Sequence, residues 1–230
     1  MSKMKTAIFI PARYNSTRYP GKPLTMLNGK TMIQRVAETC KSSGYDTYVL
    51  TDNKTIAQAA QAAGVGFYID TENYDNGTER CAGAILSRKF KGYDSFVNVQ
   101  GDMPDVTVAM IEKALMAVKY YSVGTVFTDM PKDKQNDLNS VKMVRAGDQA
   151  LWFGRGMTGY GEWHLGVYSY RKNALESYAH LRIEKEEQVE KLEQLRWLKN
   201  GWQIGCYRVN FKGVEINTPE DVQEWEKINT

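Results

Sequence analysis

Short apolar runs alternate with stretches of helical period along this 230-residue chain, and that alternation restricts its fold more than any other feature. Ala7–Ile10, Thr47–Thr51, Gly66–Ile69, Ser95–Val99, Val123–Thr128, Leu165–Tyr170 and Ile204–Asn210 have the length and composition of strands. Between them Thr31–Ser43, Lys54–Ala63, Thr78–Ser87, Val106–Tyr121, Lys172–Tyr178 and Glu187–Asn200 read as helices. Met32, Ile33, Val36 and Ala37 share one side of the first helix, and Gly44 stops it. Asp52 is placed to cap the second, which Gly64 ends. Thr218 and Pro219 open a C-terminal helix as its N-cap and first-turn proline. The pattern predicts an α/β protein, with helices layered on both faces of a mainly parallel sheet. Ser140–Arg145 and Ala150–Phe153 read as a hairpin inside a small β-rich lobe, over about residues 138–180. No linker divides the chain, so residues 1–230 are read as one domain.

The first strand empties into Pro11-Ala12-Arg13-Tyr14-Asn15-Ser16-Thr17-Arg18-Tyr19-Pro20-Gly21-Lys22-Pro23-Leu24. Two prolines and a glycine force an irregular turn that carries the cations Arg13, Arg18 and Lys22. Arg offers forked donors and Lys a compact charge, so the loop suits a polyphosphate. It is not a Walker loop, whose glycine-to-lysine spacing is absent. A solvated basic surface loop would have the same letters.

Val97-Asn98-Val99-Gln100-Gly101-Asp102 puts a carboxylate at the carboxyl end of a central strand, where open α/β sheets bind ligands. Gly101 lets backbone come close to a nucleotide, and Asp102 is a hard oxygen ligand suited to Mg²⁺. A turn Asp that caps the next helix is the plainer reading. Asp75-Asn76-Gly77-Thr78-Glu79-Arg80 opens a helix whose N-terminus could hold an anion or a base edge, or could be only a turn and a cap.

Taken together, the stretch Ile10–Leu24, the Gln-Gly-Asp motif and Trp163-His164-Leu165-Gly166-Val167-Tyr168-Ser169-Tyr170 resemble the 3-deoxy-manno-octulosonate cytidylyltransferases, the CMP-KDO synthetases. The resemblance covers most of the chain. It implies a Rossmann-like fold of the nucleotide-diphospho-sugar transferase type and transfer of CMP from CTP to the anomeric hydroxyl of a KDO-like sugar acid, with pyrophosphate released. It implies a nucleotide site of Pro11, Ala12, Arg13, Arg18, Lys22, Asn76, Gly77, Arg80 and Gln100, of which Arg13, Arg18 and Lys22 act in catalysis with Asp102. It further implies acceptor contacts from Arg155, His164, Tyr168, Glu193 and Gln194, a Mg²⁺ ion on Asp102 and position 217, and a homodimer serving lipopolysaccharide biosynthesis. An ordinary amphipathic helix would account equally for Glu190–Arg196.

Three departures stand out. Met103 replaces an acid beside Asp102. The stretch Gly156–Trp163 is shorter than in the family. Asn217 stands where the family has a metal-binding Asp, and Glu215, two residues earlier, is placed to make up the lost charge if the segment is extended. The alternatives are CMP transfer to an amino-KDO or sialic-acid relative, or a nucleotide-binding protein without turnover.

A net charge of +3, with acids interspersed among the bases, gives no stripe for nucleic acid and no aromatic–basic platform. No run approaches the ~18 apolar residues of a membrane helix. Cys40, Cys81 and Cys206 are far apart and odd in number, as expected of buried thiols in a reducing cytoplasm.

Overall fold

The computed structural model describes residues 4–15 and 19–229. In chain order its elements are β1 (Thr6–Ala12), β2 (Met26–Leu27), β3 (Lys30–Thr31), α1 (Met32–Ser42), β4 (Asp46–Thr51), α2 (Lys54–Ala62) and β5 (Gly66–Ile69). There follow α3 (Gly77–Leu86), β6 (Ser95–Val99), α4 (Val108–Ala117), β7 (Val123–Thr128), β8 (Lys142–Ala146), β9 (Gln149–Gly154) and β10 (Glu162–Arg171). The last are α5 (Lys172–Tyr178), α6 (Lys185–Glu190), α7 (Leu195–Lys199), β11 (Ile204–Arg208) and α8 (Pro219–Ile228).

Among the described residues one sheet has the order β5-β4-β1-β6-β10-β7-β11-β9-β8. β5, β4, β1 and β6 pair in parallel, as do β7 and β11. β10 is inserted antiparallel to both β6 and β7, so those two still point the same way. The β8–β9 hairpin continues this sheet, bonded to β11 and to β10.

Period-two burial explains the layers. Ala7, Phe9 and Phe96 face a core completed by α3, α5 and α7. Ile8, Ile10, Val97 and Val99 face the opposite core, with α1, α2 and α4. A third, smaller core joins Leu27 and Met32 to Val214, Ile216 and Trp225. Asp105 fastens it, accepting from Val214 N at 2.9 Å and from Trp225 Nε1 at 2.7 Å. This core seats the segment before α8 beside the loop after β1.

Three local expectations change. Asn53, not Asp52, caps α2, accepting from Thr55 N and Ile56 N. Asp52 instead accepts from Tyr14 N at 3.1 Å and so steadies the loop after β1. α4 starts later and ends earlier than its apolar run suggests, because Thr107 caps it and accepts from Met110 N. The helix expected over Glu187–Asn200 is broken: α6 ends at Lys191, which has φ 55°, and α7 begins only at Leu195. A left-handed residue costs about 1–2 kcal/mol. The hydrogen bonds and the ion pair that the break makes possible offset that cost, and they build one wall of the site.

Candidate active site

Gly101 is what lets the two strand ends meet. A Cβ there would stand 3.2 Å from Pro11 O, so a larger residue would push the Gln-Gly-Asp turn away from β1. With the two in contact, Lys22 Nζ lies 2.6 Å from Asp102 Oδ2 and donates to Ile216 O at 3.1 Å. Ile216 N in turn donates to Asp102 O at 3.1 Å. The cationic loop, the acidic turn and the segment before α8 are thus linked by three bonds around residue 216.

Two adjoining cavities open from this point. The smaller, about 210 Å³, is lined by Pro11, Ala12, Lys22, Arg80 and Gly101. The larger, about 590 Å³, is lined by Arg155, His164, Tyr168, Glu193, Gln194 and Glu215. Arg13, Asn76, Gly77, Gln100 and Asp102 line both, so the nucleotide set and the acceptor set of the sequence reading meet along one wall. Asn217 lines the larger cavity too. Arg18 lies outside the described residues.

The N-terminus of α3 is used differently from the open anion cradle that its sequence suggests. Asn76 caps the helix by accepting from Glu79 N at 2.9 Å, and Thr78 N donates to Glu193 Oε2 at 2.8 Å. Those two N–H groups are therefore spoken for by the protein, while the Asn76 and Gly77 surfaces still border both cavities. Arg80 is buried beneath, with its guanidinium on Asp70 O at 3.2 Å and over the Tyr74 ring. Gln100 sits in a slot made by two glycines: a Cβ on Gly166 would come within 2.9 Å of its Cγ, and one on Gly77 within 3.1 Å of its Nε2. From there Gln100 Nε2 donates to Glu193 Oε1 at 3.1 Å.

Glu193 and Gln194 reach the cavity because the chain turns between α6 and α7. Burial raises the Glu193 carboxyl to about 7, against the pull of Thr78. A carboxyl raised in the folded state adds stability below its unfolded value of 4.5, and that stability is lost as pH rises through about 7. Glu193→Gln removes this dependence. The expected result is a thermal midpoint that gains on wild type at about pH 8 and loses the gain below pH 4.5, together with weaker acceptor binding. Equal differences in midpoint at both pH values would refute the assignment.

His164 is buried on β10, with Nε2 2.9 Å from Thr125 Oγ1. The Thr125 hydroxyl donates its one proton to Val167 O at 3.0 Å, so Nε2 must carry the hydrogen and donate to Thr125. Burial, aided by the Arg155 charge, lowers the imidazole to about 3 and keeps it neutral. His164 is therefore suited to orientation and binding, not to taking a proton at Nε2. Tyr168 Oη donates to Gln194 Oε1 at 3.1 Å, and burial keeps that phenol protonated. Among the described residues Gln194 Nε2, which is buried, meets no hydrogen-bond partner, and its side chain lines the larger cavity.

Arg155 is held in place by Glu190 O at 3.1 Å from its Nε and by Asn139 O at 2.8 Å from its Nη1. Lys142, fully buried, props it from behind by donating to Arg155 O at 3.0 Å and to Asp137 O. Lys142 and Thr125 are positioning residues that sequence reasoning missed; a Lys in a hairpin and a Thr in a strand carry no signal of this. The ion pair of Arg196 with Glu187 and Glu79 was also not foreseen.

The oxygens gathered at Asp102 suit a hard cation. Burial and the neighbouring Asp102 charge raise the Glu215 carboxyl to about 7, which marks two carboxylates facing one space. Among the described residues no cluster of three or more His, Cys, Asp and Glu forms a full protein cage for a metal. Mg²⁺ asks for less, usually one or two carboxylates with substrate phosphates and water. The donor set fits that ion.

Among the described residues no helix is long and apolar enough to cross a membrane. A family profile described as cytidylyltransferase matches residues 7–204. An 8-amino-3,8-dideoxy-manno-octulosonate cytidylyltransferase of Shewanella frigidimarina is 36% identical over 239 residues, covering 97% of this chain and 98% of the relative. A 3-deoxy-manno-octulosonate cytidylyltransferase of Parabacteroides distasonis is 35% identical over 243 residues, covering 96% of each. A solved structure, described as CMP:2-keto-3-deoxy-manno-octonic acid synthetase complexed with CTP, superposes with a TM-score of 0.89 at 30% identity, covering 98% of both chains. With the fold, the paired cavities and these likenesses in agreement, the chain belongs to the cytidylyltransferase family and is an enzyme of the nucleotidyltransferase class.

Proposed function

We propose that this enzyme transfers CMP from CTP to the anomeric hydroxyl of 3-deoxy-manno-octulosonate or its 8-amino relative. The observation that carries the reading is the shared wall: Asp102 and Gln100 border the cavity below the cationic loop and the cavity holding His164, Tyr168, Glu193 and Gln194. A donor in one and an acceptor in the other would meet at that wall. The attacking hydroxyl oxygen loses its proton to water and forms a bond to the α-phosphorus, the α–β bridging P–O bond breaks, and pyrophosphate leaves with the electron pair. Such a reaction asks the protein for position and charge rather than covalent help.

Arg13, Arg18 and Lys22 would hold the triphosphate and offset charge on the leaving group. Asn76, Gly77, Arg80 and Gln100, with Pro11 and Ala12, would bound the nucleotide. Gln194 and Glu193 would bond acceptor hydroxyls, with His164 and Tyr168 fixing the pocket shape and Arg155 facing the acceptor carboxylate. Asp102 and the segment 215–217 would hold Mg²⁺, which when bound neutralises phosphate charge and polarises the attacking hydroxyl. A homodimer completes the reading; the exposed Leu138, Leu151 and Tyr160 of the 138–180 lobe support a contact there.

Pyrophosphate release with CTP and a panel of sugar acids tests the proposal. Steady release with 3-deoxy-manno-octulosonate or its 8-amino form supports it, and the better of the two names the acceptor. Release only with a sialic acid, or CTP binding with no release on any acceptor, refutes it.

A further inference from the structure

Resting on the transferase reading above, we infer that Glu215, not Asn217, supplies the second anionic oxygen for the divalent cation at Asp102. Ile216 is fully buried against Leu27, Met32, Val214 and Trp225, and its backbone is pinned on both sides. Its N–H bonds Asp102 O at 3.1 Å, and its carbonyl accepts from Lys22 Nζ at 3.1 Å. Residue 216 therefore cannot slide or turn without unseating a core and two bonds.

Burial alternates along this stretch, with Val214 and Ile216 inside and Glu215 and Asn217 part-exposed. Both alternate side chains line the larger cavity, in company with Asp102. The segment thus presents one carboxylate and one amide beside the Asp102 carboxylate. Mg²⁺ and Mn²⁺ are hard dications that favour a full negative charge over an amide dipole. Glu215 lines the cavity, and a carboxylate there has lone pairs to offer a cation. The Asn217 backbone N–H is taken by Asp221 Oδ2 at 2.7 Å, tying that residue to the start of α8. An independent sign that the spot favours positive charge is Lys22, whose ammonium is 2.6 Å from Asp102 and touches the carbonyl of 216.

The test is binding, not turnover: Mn²⁺ is titrated into the protein with CTP and no acceptor, and bound ion is read by electron paramagnetic resonance. Glu215→Gln is expected to weaken Mn²⁺·CTP binding at least ~10-fold, and Asn217→Ala no more than ~3-fold. Far-UV circular dichroism matching wild type reports that both variants fold. Asn217→Asp added to Glu215→Gln should restore most of the loss by returning a carboxylate to the same side. Wild-type affinity in Glu215→Gln, or an equal loss in Asn217→Ala, overturns the inference. A wild-type protein that binds CTP equally with and without Mn²⁺ overturns it alone, whereas one that binds no CTP under either condition refutes the transferase reading itself.

Discussion

Asp102→Asn and Lys22→Ala are each expected to lower steady-state pyrophosphate release at least ~100-fold at saturating CTP and acceptor, the scale of losing one electrostatic stabiliser. Arg18→Ala, at a position outside the described residues, carries the same expectation from its place in the cationic loop. The far-UV circular dichroism should not change, because Lys22 and Asp102 lie in the segments that follow the central strands β1 and β6 and not in the cores. The two form an ion pair of 2.6 Å. Asp102→Asn leaves the ammonium without its counter-charge, and Lys22→Ala leaves the carboxylate facing Glu215. The double variant should lose much less than the product of the two single losses, since the residues act as a unit. Turnover near normal in all three single variants would contradict the site.

Arg196→Ala should produce the largest loss of stability. Arg196 is 3% exposed and Glu187 8%, and the guanidinium binds Glu187 Oε1 at 2.6 Å and Glu79 Oε1 at 2.7 Å while lying over the Tyr178 ring. Removing the cation strands a buried carboxylate, a change that typically costs about 3–5 kcal/mol. For a chain of this length that is a fall in thermal midpoint of roughly 6–20 °C. Replacing both partners with apolar residues, as in Arg196→Met with Glu187→Leu, should recover a good part, because no charge is then left unpaired. Scanning calorimetry of the three proteins decides it; an unchanged midpoint in Arg196→Ala would show that the pair adds nothing.

The same region marks where sequence reasoning stops. Strands such as Ser95–Val99 and helices such as α1 are legible because their apolar spacing is a local property, repeated over many residues. The Gln-Gly-Asp turn is legible because the order strand, glycine, acid has few structural outcomes. The break at Lys191 is not, since neither glycine nor proline announces it, and its cause lies over a hundred positions away in Thr78 and Glu79. Local propensity favours one long helix, and long-range hydrogen bonding overrides it. Thr125 and Lys142 escaped for a related reason: their partners are set by register between strands, which no short window contains. Glu193 and Gln194 were found only through likeness to a family, and the geometry now supplies the reason they face inward.

The small core built from Leu27 and Met32 on one side and Val214, Ile216 and Trp225 on the other brings two segments distant in sequence together, with Asn28 Nδ2 also bonded to Asn229 O at 3.1 Å. During synthesis every strand of the sheet precedes Ile216, so Asp102 and Lys22 gain their third neighbour only after the strands have been made. Chemical competence thus follows the sheet rather than accompanying it, and a product clipped before residue 214 would keep the strands of the sheet yet lack its finished centre.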